Sequence, residues 1–343
     1  LSGRADILVS SGPGEVRYLL RLDGIPAELH VHRPSMLLDR VFRGRVTAVD
    51  KGLDATFVDL GRGGRPGFLP GARALGLSEG AAVVVRVRAE GRGGKGPLLA
   101  PQDGFSAEGE APAPLRSSDP LERLRAAFPD APVAEGHAEV DEALEAAISP
   151  VVPLPGGGRL VIETAAALTA IDVDSGSMRP ADANRAAVAG IARQLRLRNI
   201  GGQVVVDFVS GRDRKPLHRL AGELKAAVAA DPVPTHVFGV STLGLVELTR
   251  ERRGPSLAEL LCRRSVGPTP ETLALAALRR LLAEALARPA ARLGLRAAPA
   301  VAAALSLLPE ARAEAERLLG RPLIIREESG RADDDVLIED MAP

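Results

Sequence analysis

The hydrophobic pattern changes period several times along the chain, and each change marks an element or a boundary. Residues 1–34 alternate apolar and polar positions in three runs, 6–10, 15–22 and 27–31, separated by Gly12-Pro13-Gly14 and Asp23-Gly24. Period-two alternation broken by turn residues predicts strands joined as a meander. Residues 38–100 continue with strands at 41–49, 54–60, 67–69 and 82–89, punctuated by glycines. Short strands at even spacing predict a small barrel. Residues 101–120 lose the alternation. Pro, Ala, Glu and Ser dominate there, as in Ala111-Pro112-Ala113-Pro114, which is linker composition. Two short helical patterns follow at 120–128 and 140–148.

From 151 to 255 strands alternate with helices. Strands are predicted at 160–164, 168–174, 203–209, 237–241 and 245–249, and helices at 183–198 and 217–229. In the first helix Ala187, Val188, Ile191 and Leu195 share a face, and Arg193, Arg196 and Arg198 sit on the other, the spacing of an amphipathic helix. The run 203–209 is nearly all apolar, as a strand buried on both faces would be. Residues 256–343 are helical at 271–288, 298–308 and 310–319, with one strand at 322–326 and an acidic, frayed tail from Glu327.

Composition adds two constraints. With 45% hydrophobic and 26% charged residues, the chain is not disordered, fibrous or disulfide-stapled. Net charge is zero, yet residues 101–150 hold 3 basic and 11 acidic residues, while 1–100 hold 15 and 10 and 151–255 hold 14 and 10. Two basic blocks therefore flank an acidic spacer, which suits a polyanionic partner. Lysines number only 4, so arginine supplies nearly all the positive charge, and its planar fork suits phosphate. One cysteine excludes an intrachain disulfide. That count, with no apolar run of membrane-spanning length and no signal pattern, gives the expectation of a cytoplasmic protein that binds no membrane.

Two constellations could carry chemistry. Asp172 in Ala170-Ile171-Asp172-Val173-Asp174 and Asp207 in Val204-Val205-Val206-Asp207-Phe208 each end an apolar strand. A helix links the two strands, so a parallel crossover would make the acids neighbours. Asp172 and Asp174, two apart, would share a face. Acids so placed either hold a hard cation such as Mg²⁺ or cap turns and pair with arginine. In the barrel, Phe57 and Phe68 are two of only 7 Phe in a chain with 1 Tyr and no Trp, and they lie among Arg43, Arg45, Arg65 and Lys95. Aromatic faces among basic residues either stack unpaired bases or fill a core. Gly91-Arg92-Gly93-Gly94-Lys95-Gly96 lacks the Ser or Thr that a phosphate loop needs after its lysine, so no nucleotide cofactor is expected. The five histidines are scattered, and His30 and His32 lack nearby ligand partners.

Several ordered blocks resemble the ribonuclease E/G family. They are the stretch from Ala167 to Gly176 around Asp172, the stretch Ile191-Ala192-Arg193-Gln194-Leu195-Arg196-Leu197-Arg198-Asn199-Ile200-Gly201-Gly202, Val205-Val206-Asp207-Phe208, and Leu243-Gly244-Leu245-Val246-Glu247-Leu248-Thr249-Arg250. Phe42-Arg43-Gly44-Arg45-Val46 through Gly67-Phe68-Leu69-Pro70 resembles the family's S1-type OB-fold. The resemblance implies an α+β multidomain protein. It would have an N-terminal β segment of a reduced RNase H-like subdomain (1–37), an S1-type OB-fold (38–103), a linker and remnant region (104–150) and an α/β metal-dependent nuclease domain of DNase I type (151–254). A degenerate zinc-link segment (255–270) and a small, mostly helical C-terminal domain (271–343) would complete it.

The family's activity is Mg²⁺-dependent cleavage of single-stranded RNA in processing, ribosomal RNA included, and decay, leaving a 5′-phosphate and a 3′-hydroxyl. By resemblance Asp172 and Asp207 hold Mg²⁺, with Mn²⁺ as a substitute and Asp174, where the family has Asn, as a third ligand. Phe57, Phe68 and Lys95 contact RNA, and Arg250 contacts its phosphate. No Arg-Thr pair of the family's 5′-end sensor lies between the barrel and the nuclease region. The paired-cysteine zinc link is reduced to Cys262-Arg263-Arg264-Ser265, so Zn²⁺ is not expected and a homodimer would form without it. These departures keep open the alternative of a non-catalytic RNA-binding protein on the same fold.

Overall fold

Alternation in the first 34 residues does produce a meander. The computed structural model describes residues 4–209, 215–262, 268–332 and 334–341, and the chain divides into two compact units. One unit comprises 1–34, 130–152 and 256–343, and the other 35–129 and 153–255. Segments distant in sequence are thus joined in space, an arrangement local patterning does not reveal.

In the first unit, strands Ala5–Gly12, Glu15–Leu22 and Ile25–His32 pair antiparallel in chain order. Val133–Glu135 adds in parallel along Ala5–Gly12. Helix His137–Ile148 buries Val140, Ala143, Leu144 and Ala147, the i, i+3, i+4, i+7 stripe of a core-facing helix. The C-terminal part holds helices Pro270–Ala287, Pro299–Ser306 and Pro309–Leu319. Each has proline in its first turn, where the missing N–H would be unpaired anyway. Their apolar faces enclose Leu275, Leu278, Leu281, Val301 and Leu305.

The C-terminal tail departs from expectation. Leu337–Asp340 is a strand paired antiparallel with Leu293–Ala297, which also pairs in parallel with Ile325–Glu327. Val336 and Met341, both 5% exposed, anchor it. The acidic composition hid a short strand held by two apolar side chains.

A buried ion cluster ties the first unit together. The Glu15 side chain is fully buried and meets Arg17 at 2.5 Å, Arg33 at 3.0 Å and Arg279 at 3.4 Å. Arg17 also reaches Asp141, and Arg33 reaches Glu271. Burial alone would raise the Glu15 pKa, but the three guanidinium groups outweigh it and hold the carboxyl below its ordinary 4.5. A lowered folded pKa gives stability that is present above the unfolded value and lost as pH falls through the folded one. Glu15→Gln is therefore expected to cost about 2 kcal/mol at neutral pH, with the gap to the parent closing in acid. Urea titrations at both pH values check this, and a gap unchanged by acid would contradict it.

The second unit contains a closed barrel and an open sheet. Barrel strands Val41–Asp50, Ala55–Asp59, Gly67–Pro70, Leu98–Pro101 and Ala82–Ala89 pair in that order. Val41–Asp50 pairs with both Ala55–Asp59 and Ala82–Ala89, which closes the ring. Five strands closed in this way fit an OB-fold. The core is Phe42, Val58, Leu60, Leu69, Val85, Val87 and Leu99. Gly67 is required by that core, since a Cβ there would lie 2.5 Å from Leu99 Cδ1.

The 101–120 segment, of linker composition, is not loose. Arg43 donates to the Ser106 and Glu110 carbonyls, and Arg45 donates to those of Ala111 and Gly80. Ala113–Arg116 then pairs with Val41–Asp50 as a sixth strand. Two arginines on the barrel wall supply the order that the Pro/Ala composition lacks.

Candidate functional site

The open sheet positions the acids. Strand Leu168–Asp174 runs antiparallel to Arg159–Thr164 and parallel to Gly202–Asp207, which pairs with Val246–Arg250 and through it with Thr235–Val240. Helix Pro180–Leu197 makes the crossover between the two parallel strands. Ile171, Val173, Val204, Val206, Val246 and Leu248 are buried on one side, as are Ala187, Ile191 and Leu195 of the helix. Strand alternation therefore sends Asp172 and Asp207 to the other, exposed side.

Asp172 and Asp207 are direct cross-strand partners at the ends of their parallel pairing. Burial raises the Asp172 pKa, and the neighbouring charges of Asp207 and Asp174 raise it further. The pair therefore concentrates negative charge at one point, which a divalent cation would relieve. Mg²⁺ commonly takes only one or two protein carboxylates and keeps its waters, so this donor set fits it. Among the described residues no group of three or more His, Cys, Asp or Glu stands together as a metal set.

Asp174 is correspondingly not brought into a triad. It lies opposite Arg159 in the antiparallel ladder, pairs with it at 2.7 Å, and accepts the Gly176 N–H at 2.9 Å. These two donors hold its carboxyl below the ordinary range. Asp174 thus stands in an ion pair at the strand end, beside the Asp172–Asp207 pair.

Arg250 needs a firmer correction. It is 3% exposed. Its guanidinium donates to Asp231 at 2.7 and 3.1 Å and to the Ile200 carbonyl at 3.0 Å. Position 250 shares the buried side of its strand with Val246 and Leu248, so it is a fastener under the sheet and has no face for phosphate. Sequence inspection also missed Asn184. Its amide, 5% exposed, donates to the Val209 carbonyl and accepts the Val209 N–H, fixing the backbone two residues after Asp207. A polar residue within the buried face of the helix, which also holds Gln194, was the available signal.

On the barrel, Phe57 and Phe68 are cross-strand partners with ring centroids 6.0 Å apart and planes at 74°. Their neighbours Val58 and Leu69 point into the core, so both rings lie on the outer wall, partly exposed. Phe68 is also level with Leu98 of the next strand. Exposed Lys95 lines a cleft of ≈ 320 Å³ with Arg62, Arg65 and Arg92 between two glycine-rich turns. The turn at 91–96 leads into a strand, and a Cβ at Gly96 would sit 1.8 Å from the Pro66 carbonyl oxygen. Glycine is therefore required at the position where a phosphate loop carries Ser or Thr.

His30 pairs with Glu28 at 2.8 Å. The Cys262 thiol is half-buried, and burial raises its pKa. Arg263, Arg264 and Ser265 of the expected link segment lie outside the described residues. No helix among the described residues is long and apolar enough to cross a membrane.

A small closed barrel in one unit with a sheet that pairs two carboxylates defines a class of multidomain protein with an OB-type module. Comparison with known proteins places it more closely. Residues 119–253 match the model of the ribonuclease E/G family. Ribonuclease E of Nostoc sp. is 43% identical over 129 residues, covering 35% of this chain and 19% of that protein. Ribonuclease G of Escherichia coli K12 is 35% identical over 182 residues, 49% of this chain and 37% of its own. Ribonuclease G of Salmonella typhimurium is 33% identical over 206 residues, 55% and 42%. The chain thus matches less than half the length of each of these relatives.

Proposed function

We propose that the chain is a Mg²⁺-dependent endoribonuclease that cleaves single-stranded RNA to 5′-phosphate and 3′-hydroxyl ends. The observation that carries this reading is the direct pairing of Asp172 with Asp207 on the exposed side of a sheet whose segment matches the ribonuclease E/G family. Asp172 and Asp207 would hold Mg²⁺, and a bound divalent ion supplies an activated water and stabilises the oxygens of an in-line displacement. Asp172 and Asp207 must both be ionised to do so. Asn184 fixes the strand end that presents Asp207, and Arg159 pairs with Asp174 beside them. Phe57 and Phe68 would stack bases while Lys95 holds the backbone.

Incubation of the protein with a 5′-labelled A/U-rich single-stranded RNA, with and without Mg²⁺, tests the reading. Internal cuts only with Mg²⁺ are expected. RNA bound but uncut across Mg²⁺ and Mn²⁺ concentrations would favour the non-catalytic binder. Phe57→Ala is expected to weaken RNA binding by about 1–3 kcal/mol if its ring carries a base. A folded variant with parental affinity in fluorescence anisotropy would remove Phe57 from the RNA surface.

A further inference from the structure

A second basic recess lies on the barrel, away from the Phe57–Phe68 wall and lined by none of the residues discussed above as RNA contacts. Its volume is ≈ 320 Å³, and its walls carry five arginines, at 86, 88, 116, 123 and 253, against three carboxylates. Register explains the convergence. Val41 is the cross-strand partner of both Arg86 and Arg116, on either side of it. The three residues therefore project to one face of the wall. Arg88, at the register shift between Val87 and Ala89, also lines the recess. Arg253 arrives from the segment after Val246–Arg250, where its carbonyl accepts the Glu90 N–H at 2.9 Å.

The carboxylates are largely committed. Asp39 pairs with Arg123 at 2.9 Å, and Asp119 caps the helix Pro120–Ala127 by accepting the Leu121 N–H, while Glu122 in that helix's first turn is in no ion pair among the described residues. Beside the recess, Glu251 lies 3.8 Å from Arg88 and 3.3 Å from Arg253. Among the described residues, Arg86 and Arg116 are held in no ion pair. Arg86 is half-buried and Arg116 exposed, and the flat guanidinium fork matches phosphate oxygens in bidentate fashion.

We propose that this recess is a phosphate-binding site in which Arg86 and Arg116 grip one backbone phosphodiester of single-stranded RNA, with Arg88 and Arg253 at its rim. The inference rests on the reading of the chain as an RNA-binding nuclease and adds a contact that this reading does not contain. Every residue that lines the recess is charged or a serine, which suits a phosphate of the backbone rather than a base.

The test compares the full chain with Arg86→Gln/Arg116→Gln and Arg86→Lys/Arg116→Lys. Binding of a fluorescein-labelled oligo(U) is measured by anisotropy across a salt series. Loss of one phosphate contact should flatten the log–log salt slope by about 0.7 and weaken binding at low salt on the order of tenfold. The lysine variant should keep the slope, which loss of a merely structural arginine would not predict. A second arm measures the thermal shift given by inorganic pyrophosphate at constant ionic strength. A parental RNA slope in the folded Gln variant, with a pyrophosphate shift lost in it, would overturn the RNA occupant and leave a small-anion site. Parental behaviour in both arms would overturn the site itself. If the parent binds no RNA, the proposed function fails separately, and the pyrophosphate arm still decides whether the recess binds phosphate.

Discussion

Asp172→Asn and Asp207→Asn are each expected to lower Mg²⁺-dependent RNA cleavage by about 10²–10³-fold while leaving RNA affinity near the parental value. The reason lies in the register. The two acids are opposite each other at the ends of parallel strands, so they act as one charge centre. Asn keeps the size and one oxygen but removes the charge that would hold the ion. It also relieves repulsion between neighbours, because Asp207 is one of the charges that raise the Asp172 pKa. Both variants should therefore fold at least as well as the parent. That combination, stable and RNA-binding but inactive, separates a metal site from a structural pair of acids. Single-turnover cleavage and urea melts on the same preparations would show it. Parental cleavage in either variant would remove that carboxylate from the reaction.

Arg250→Gln is expected to destabilise the protein by about 3–5 kcal/mol and to leave the salt slope of RNA binding unchanged in the fraction that stays folded. The side chains of Arg250 and Asp231 are 2% and 4% exposed. Removing the cation strands a buried carboxylate. The guanidinium also donates to the Ile200 carbonyl, just before the Gly202–Asp207 strand. Its loss should therefore loosen the entry to the strand that ends in Asp207. Asp231→Asn should give a comparable loss, and the double variant Arg250→Met/Asp231→Leu less than the sum, since the two losses share one interaction. Equal stability in Arg250→Gln with a flatter salt slope would restore a phosphate role to Arg250.

Much of the local structure was legible because its signals are local. The strand at 168–174 and the long helix after it follow from apolar spacing alone; the strand is observed at Leu168–Asp174, and the helix, at Pro180–Leu197, differs only at the ends. The paired acids could be anticipated because a strand–helix–strand crossover has few topological solutions. Phe57 and Phe68 stood out because aromatics are so scarce in this chain. Arg250 illustrates the opposite case. Its family block suggested phosphate, but strand alternation set beside buried Val246 and Leu248 turns it inward. Nothing in the sequence identifies Asp231, nineteen positions earlier, as its partner.

By itself, the sequence determined which stretches become strands and helices, because periodicity and turn chemistry act within a few residues. It also determined which carboxylates and aromatics were available for chemistry, and it carried the blocks that resemble the family. Only the tertiary structure decided how those pieces were used. Val133–Glu135 joined a sheet begun more than a hundred residues earlier, and Leu337–Asp340 drew an acidic tail into a strand pair. Asp174 was given to Arg159, Arg250 to Asp231, and Arg86 and Arg116 were lined up across Val41. Those outcomes depend on cross-strand register and on burial. Both are set by the packing of the whole unit, and neither can be read from the residues adjacent in sequence.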